Sequence, residues 1–351
     1  MMRLFTRMRE ALSRLAPSRA LRSYLISGWV SGRFPQSLRG GALRRQRDYF
    51  LYVPGRIRRR DRVPLFLMLH GCSQDARTLA QGSRMNELAE EHRFMVLYPQ
   101  QSLHANPFRC WNWFEPRIGR GAGEAAAIVA LVNAVARRYP IDRSRIYVAG
   151  ISAGGAMTAI LALCYGKLFA ACAIVAGVMY GAAESALTGA RAMRQGAAVL
   201  PEGIAEEAAR RASRKASFVP ALVIQGTDDS VVHPSNAEQI VRQLRRFAEV
   251  VGMTAEPWRD LAELRIRSPA RSYRQRDYVR SNQLLLRSIL IEGLGHAWSG
   301  GDDRLPFNDS AQPETSRLIW DFCSQFQRPA SLRSPPLRLW LRNVGRLWRR
   351  Q

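Results

Sequence analysis

The chain has 351 residues, 47% of them apolar, and a formal net charge of +25. That apolar share supports a sizeable core and excludes wholesale disorder. No run of about 18 apolar residues is present, so no stretch reads as a membrane span. The charge is unevenly placed. Residues 1–62 hold 16 basic against 3 acidic residues, a net +13; residues 328–351 hold 7 against none; residues 63–327 keep only +5. The five cysteines, Cys72, Cys110, Cys164, Cys172 and Cys323, are too scattered for a disulfide-built fold. No CxxC spacing marks a zinc site, and no metal or cofactor is implied.

In chain order, residues 1–46 read as a basic appendage. Leu4, Phe5, Met8, Leu12 and Leu15 recur at helical spacing among Arg3, Arg7, Arg9 and Arg14. This segment never reaches the unbroken apolar stretch of a secretory leader, so no leader is expected there. Short apolar runs then begin. YFLYV (49–53) and LFLML (65–69) read as strands, 84–92 as helix, and FMVLYP (94–99) as strand. Residues 122–138 form an Ala-rich amphipathic helix, followed by the strand RIYVAG (145–150) and a helix over 156–166. CAIVAG (172–177) is the next strand, and 181–216 reads as one long Ala/Arg-rich helical segment. ALVIQG (221–226) and LLRSILIEG (285–293) are further strands, and 312–326 is a closing helix. Near-continuous apolar strands alternating with helices predict an α/β domain over 47–328, a mostly parallel sheet covered on both faces. The tail, 329–351, puts Leu337, Trp340, Leu341, Val344 and Trp348 on one helical face among arginines, a basic amphipathic segment.

Open α/β sheets place their sites after the carboxyl ends of strands. After RIYVAG comes Ser152, inside Gly150-Ile151-Ser152-Ala153-Gly154, a G-x-S-x-G turn between strand and helix. Such a turn lifts the serine above the sheet beside helix N-terminal amides, the arrangement of an α/β-hydrolase nucleophile. A serine hydroxyl needs a base, and the base needs an orienting acid. The strand ALVIQG leads to Asp228 and Asp229, and the G-x-x-D-x-x-V spacing favours Asp229. The strand ILIEG leads to His296, with His233 as its rival; His92 and His104 precede the serine and read as surface or turn residues. An oxyanion hole needs two amides. Ala153 supplies one, and the loop after LFLML the other, best from Cys72. His70, at a strand terminus, reads as a structural hydrogen-bonding residue rather than a metal ligand or second base.

Five blocks, LHGCSQDA (69–76), RCWNWFEP (109–116), GISAGGAM (150–157), GTDDSVV (226–232) and GHAWSGG (295–301), together resemble the esterase family of extracellular polyhydroxybutyrate depolymerases with a type 1 catalytic domain. Feruloyl and acetyl-xylan esterases are relatives of that α/β-hydrolase family. The resemblance covers about residues 48–327. It implies Ser152 as nucleophile, Asp229 as acid, His296 as base, and the Cys72 and Ala153 amides as oxyanion hole. It also implies that Trp113 and Trp298 line the substrate cleft, with aromatic core as the alternative for both. The implied reaction is hydrolysis of short-chain polyhydroxyalkanoate (3-hydroxybutyrate) esters, or alternatively feruloyl, acetyl-xylan or general carboxylic esters. Cys72 and Cys110 fall in two of the blocks, so a disulfide between them is an option the sequence leaves open. The chain departs from the family pattern in three ways. Gln225-Gly226 replaces a Gly-His or His-Gly before the acid loop, a change expected to affect packing only. No polymer-binding domain is recognisable after 328, and the extracellular address implied by the family meets no visible leader. The basic ends suit adsorption to an anionic membrane or a polymer granule, and nothing favours nucleic acid.

Overall fold

The structure is a computed structural model that describes residues 28–36, 45–212, 216–252, 256–267 and 270–329. The amphipathic runs expected in 1–27 and 330–351 lie outside the described residues. The chain begins with β1 (Gly28–Gln36), β2 (Arg45–Val53), β3 (Val63–Leu69), α1 (Ala76–Ser83), α2 (Met85–His92) and β4 (Met95–Pro99). One turn, α3 (Pro116–Gly119), precedes α4 (Glu124–Arg138), β5 (Ile141–Ile151), α5 (Ala153–Cys164) and β6 (Ala171–Val175). Next come α6 (Ala186–Gln195), α7 (Pro201–Ala212), β7 (Ala221–Gly226) and α8 (Ser235–Val250). Short β8 (Arg259–Asp260) and β9 (Leu264–Ile266) lead into β10 (Tyr273–Arg280) and β11 (Gln283–Ile291). Two-residue β12 (Trp298–Ser299) and β13 (Asn308–Asp309) and the helix α9 (Thr315–Cys323) follow.

The sheet runs β1-β2-β4-β3-β5-β6-β7-β11-β10-β8, with β9 also on β10. Its centre, from β4 to β11, is parallel. Every residue of β3, β4, β6 and β7 is buried, as strands covered on both faces must be. Strand order reverses after β4, so right-handed crossovers put α1 and α2 on one face and α4 and α5 on the other. On the first face α9 closes the layer, with Trp320 stacked on Phe94 at 4.5 Å.

The edges add antiparallel pairs to the mostly parallel sheet. β2 pairs antiparallel with β4, and β10 pairs antiparallel with β11. β1 lies within the stretch read as an appendage, yet it pairs with β2 from Gly28↔Val53 to Gln36↔Arg45. The segment 181–216 is two helices rather than one. Gly196, at φ 83, ends α6, and Pro201 opens α7. A positive φ is cheap only for glycine, and proline is tolerated in a first helical turn, so the break follows from those two residues.

Register brings the strand ends together. Leu69 sits beside Gly150, Ile151 beside Val175, and Gly226 beside Ile291. The residues following β3, β5, β7 and β11 therefore gather at one end of the sheet.

Candidate active site

Ser152 links β5 to α5 at φ 57, ψ −122, a conformation that non-glycine residues rarely adopt. Its amide donates to the Val175 carbonyl at 2.9 Å, so the strained turn is tied to the neighbouring strand. The flanking glycines are needed for close approach. A Cβ on Gly150 would lie 2.4 Å from the Gly154 carbonyl oxygen, and one on Gly154 would lie 2.1 Å from that of Leu69.

Asp229 and His296 meet after β7 and β11. His296 Nδ1 is 2.8 Å from Asp229 Oδ2. Asp229 Oδ1 accepts from the Val231 and Val232 amides, and Oδ2 also accepts from Gln225 Nε2 at 3.0 Å. Burial alone would raise the Asp229 pKa. The His296 hydrogen bond and charge, with the two amides, more than offset it and leave the pKa below the ordinary value. Asp229 thus stays ionised and holds Nδ1–H, which leaves His296 Nε2 with its lone pair.

Asp228 takes the other path open in the sequence. Its Oδ1 accepts from Thr227 Oγ1, and among the described residues it meets no histidine. His233 bonds Ser235 beside the start of α8. His92 stacks on Trp320, and His104 is exposed in a loop. Gln225 is the residue whose role the sequence reading understated. It is buried, and its amide bridges Asp229 and the Val232 carbonyl, so the departure from the family pattern touches the Asp229 carboxylate directly.

The loop after β3 is pinned by several hydrogen bonds. Gly71 N donates to Gln74 Oε1, Ser73 N donates to the Phe108 carbonyl, and Asp75 caps α1 through Thr78 N. Cys72 and Cys110 form a disulfide across 38 residues, which answers the option left open by the sequence. His70 is fully buried, with Nδ1 on the Gly71 carbonyl and Nε2 on the Gln101 amide, the structural role expected of it. Among the described residues, the Cys72 and Ala153 amides have no protein acceptor. Ala153 is the first residue of α5, where an unsatisfied N–H is inherent and suited to an anion.

Ser152, His296 and Cys72 line one cavity of about 170 Å³, with Gly71, Gln74, Ile151, Met193, Val231 and Phe307 among its walls. Ser152 and His296 share this cavity without a hydrogen bond between them, a gap that commonly closes only when substrate is bound. The walls are mainly apolar. The two tryptophans expected in the cleft are elsewhere. Trp298 is 1% exposed, and its indole N–H donates to Ser316 Oγ beneath α9. Trp113 is 6% exposed and packs on Phe114 and against Gly189 of α6. Neither lines the cavity, and the cleft-lining expectation gives way to packing. Of the apolar side chains that line it, Val231 falls in the GTDDSVV block, while Met193 and Phe307 lie in no motif block.

The chain is similar to known esterases. A poly(3-hydroxyalkanoate) depolymerase C of Paucimonas lemoignei is 34% identical over 236 residues, 67% of this chain and 55% of that protein. The chain therefore spans about half the length of that relative. A feruloyl esterase B of Thermothelomyces thermophilus is 27% identical over 268 residues, 73% of this chain and 85% of its own length. Among solved structures, an acetyl xylan esterase from Aspergillus awamori matches with a TM-score of 0.60 at 21% identity, over 76% of this chain and 94% of that one, which shows a shared fold. The sequence model described as Esterase PHB depolymerase matches residues 47–265, well over half of the chain. The chain belongs to the Esterase PHB depolymerase family.

Proposed function

We propose that this protein is a serine esterase whose nucleophile, base and acid are Ser152, His296 and Asp229. The observation that carries the reading is a strained, helix-initiating Ser152 that shares one apolar cavity with His296, whose ring is held from behind by Asp229. Ser152 Oγ attacks the ester carbonyl as His296 Nε2 takes its proton. The oxyanion rests on the Cys72 and Ala153 amides. His296 then protonates the departing alkoxide, and a water activated by the same nitrogen releases the acyl group.

For the substrate we infer a short-chain polyhydroxyalkanoate, an ester of 3-hydroxybutyrate. Ile151, Met193, Val231 and Phe307 suit a compact aliphatic acyl group, and the depolymerase relative supports the choice. The feruloyl esterase relative supports an aromatic acyl group instead. A panel of 3-hydroxybutyrate oligomers, polymer film and methyl ferulate separates the two, and faster turnover of methyl ferulate rejects the first. Purified protein should hydrolyse p-nitrophenyl butyrate, and Ser152→Ala should abolish this. Full activity in that variant rejects the esterase reading.

The basic ends support adsorption to an anionic surface or granule as an added property. Because β1 belongs to the sheet, the informative truncation removes 1–27 and 330–351 only. Ester turnover should survive it while binding to anionic vesicles is lost.

A further inference from the structure

A buried charged hub lies behind the loop that carries Cys72. Glu124, the first residue of α4, and Arg47, on β2, pair at 3.0 Å with both side chains only 3% exposed. The Glu124 carboxylate also accepts from Gln101 Nε2 at 2.7 Å, Asn112 N at 2.9 Å and Asn112 Nδ2 at 3.0 Å. Arg47 donates in turn to Gln101 Oε1, and Gln101 Nε2 donates to the Cys110 carbonyl at 2.9 Å. Burying two charges is costly unless their polar atoms are partnered. Here the partners come from β2, the segment after β4, the disulfide-bearing strap and the start of α4.

Gln101 passes this order on through its backbone. Its N–H donates to His70 Nε2 at 3.1 Å, so that nitrogen carries no proton and Nδ1 does. Nδ1–H then donates to the Gly71 carbonyl at 2.8 Å. The Gly71 C=O and the Cys72 N–H belong to one peptide unit, which is trans. In a trans unit the two bonds point opposite ways. A carbonyl held toward the His70 ring therefore turns the Cys72 N–H away from it, to the side where Cys72 borders the cavity with Ser152.

We propose that Arg47, Glu124 and Gln101, acting through a single locked tautomer of His70, are positioning residues that aim the Cys72 amide at the developing oxyanion. The inference rests on the serine-esterase reading. None of the four lines the cavity; each acts through the next.

The test uses the full chain. Glu124→Gln alone would strand the Arg47 charge and endanger folding, so the informative variant is Arg47→Met with Glu124→Met, which removes both charges at similar volume. With near-UV circular dichroism like the parent, its kcat on p-nitrophenyl butyrate should fall on the order of 10²-fold, the cost of one oxyanion donor. KM should stay within about twofold, because the lost interaction is made in the transition state. Long-range 1H–15N spectra should show His70 protonated at Nδ1 in the parent and a tautomer mixture in the variant. Should that variant fail to fold, His70→Leu, which leaves the hub intact, must show the same kcat loss. Parent-like kcat in a folded variant, or a parent ring protonated at Nε2, overturns the proposal. If the parent hydrolysed no ester, the functional reading would fall on its own, and the ring tautomer, read without turnover, would still decide whether His70 is locked as proposed.

Discussion

Asp229 Oδ2 lies 2.8 Å from His296 Nδ1, while Asp229 Oδ1 is held by the Val231 and Val232 amides at 2.9 and 2.8 Å. The carboxylate is thus fixed from behind and does not depend on the histidine for its aim. Asp229→Asn keeps the size and the position. An amide nitrogen facing Nδ1, however, favours the tautomer with the proton on Nε2, where the base needs a lone pair. Turnover of p-nitrophenyl butyrate should fall about 10⁴-fold with the fold intact. A loss below tenfold would remove Asp229 from the proposed triad.

Gly154 and Gly203 make opposite predictions for one and the same change. An added Cβ at Gly154 meets the Leu69 carbonyl oxygen at 2.1 Å, and backbone cannot move aside cheaply. Gly154→Ala should cost on the order of 3 kcal/mol, the upper range for overpacking, and displace Ser152. At Gly203, inside α7, an added Cβ meets nothing within 4 Å. Gly203→Ala should stabilise by roughly 0.5–1 kcal/mol through helix propensity. Urea unfolding of both variants checks the signs, and a stabilised Gly154→Ala would show that the turn is looser than the geometry requires.

Much of the candidate site was legible because its residues follow apolar runs. Ser152, Asp229 and His296 each follow a strand with an apolar run, and register brings those strand ends together. What stayed hidden had no such pattern. β10, YRQRDYVR, alternates charges without an apolar face, and it is held by pairing to β11 and by the Arg287–Asp277 ion pair at 2.7 Å. Arg47 and Glu124 are of residue types that almost never bury, so a sequence reading leaves them on the surface until the partner is seen. Trp113 and Trp298 erred the other way. They sit in motif blocks, but their neighbours in space, Gly189 and Ser316, are far off in sequence, and only those neighbours show them to be core.

His70 gives the protein an acid-sensitive stability. Burial pushes its pKa down from 6.5 to about 4, against the opposing pull of its bond to the Gly71 carbonyl. Between those values the unfolded chain binds a proton that the folded chain refuses. Stability therefore rises with pH across that window, and acidification from 6.5 to about 4 removes it, with no further loss from this group below. The full effect is about 3 kcal/mol. His70→Asn lacks the titrating ring, so the difference in urea midpoint between parent and variant should shrink steadily as the pH is lowered from 6.5 toward 4. Parallel curves for the two proteins would rule the linkage out.

The Cys72–Cys110 disulfide joins the loop after β3 to the strap that carries the Gln101 contact, across a sequence separation of 38. Closing a loop of that length in the unfolded chain stabilises the folded state by about 4 kcal/mol in the chain-entropy view. Cys110→Ser should lower the unfolding free energy by that order, and dithiothreitol should bring the parent to the same value while leaving the variant unchanged. Activity should suffer less than stability at moderate temperature. The Ser73 amide still meets the Phe108 carbonyl, and His70 still holds the Gly71 carbonyl, so the loop keeps its shape without the sulfur link. If the reduced protein instead lost turnover while its unfolding midpoint stayed put, the disulfide would be aiming the Cys72 amide itself, and the polar hub behind it would not suffice.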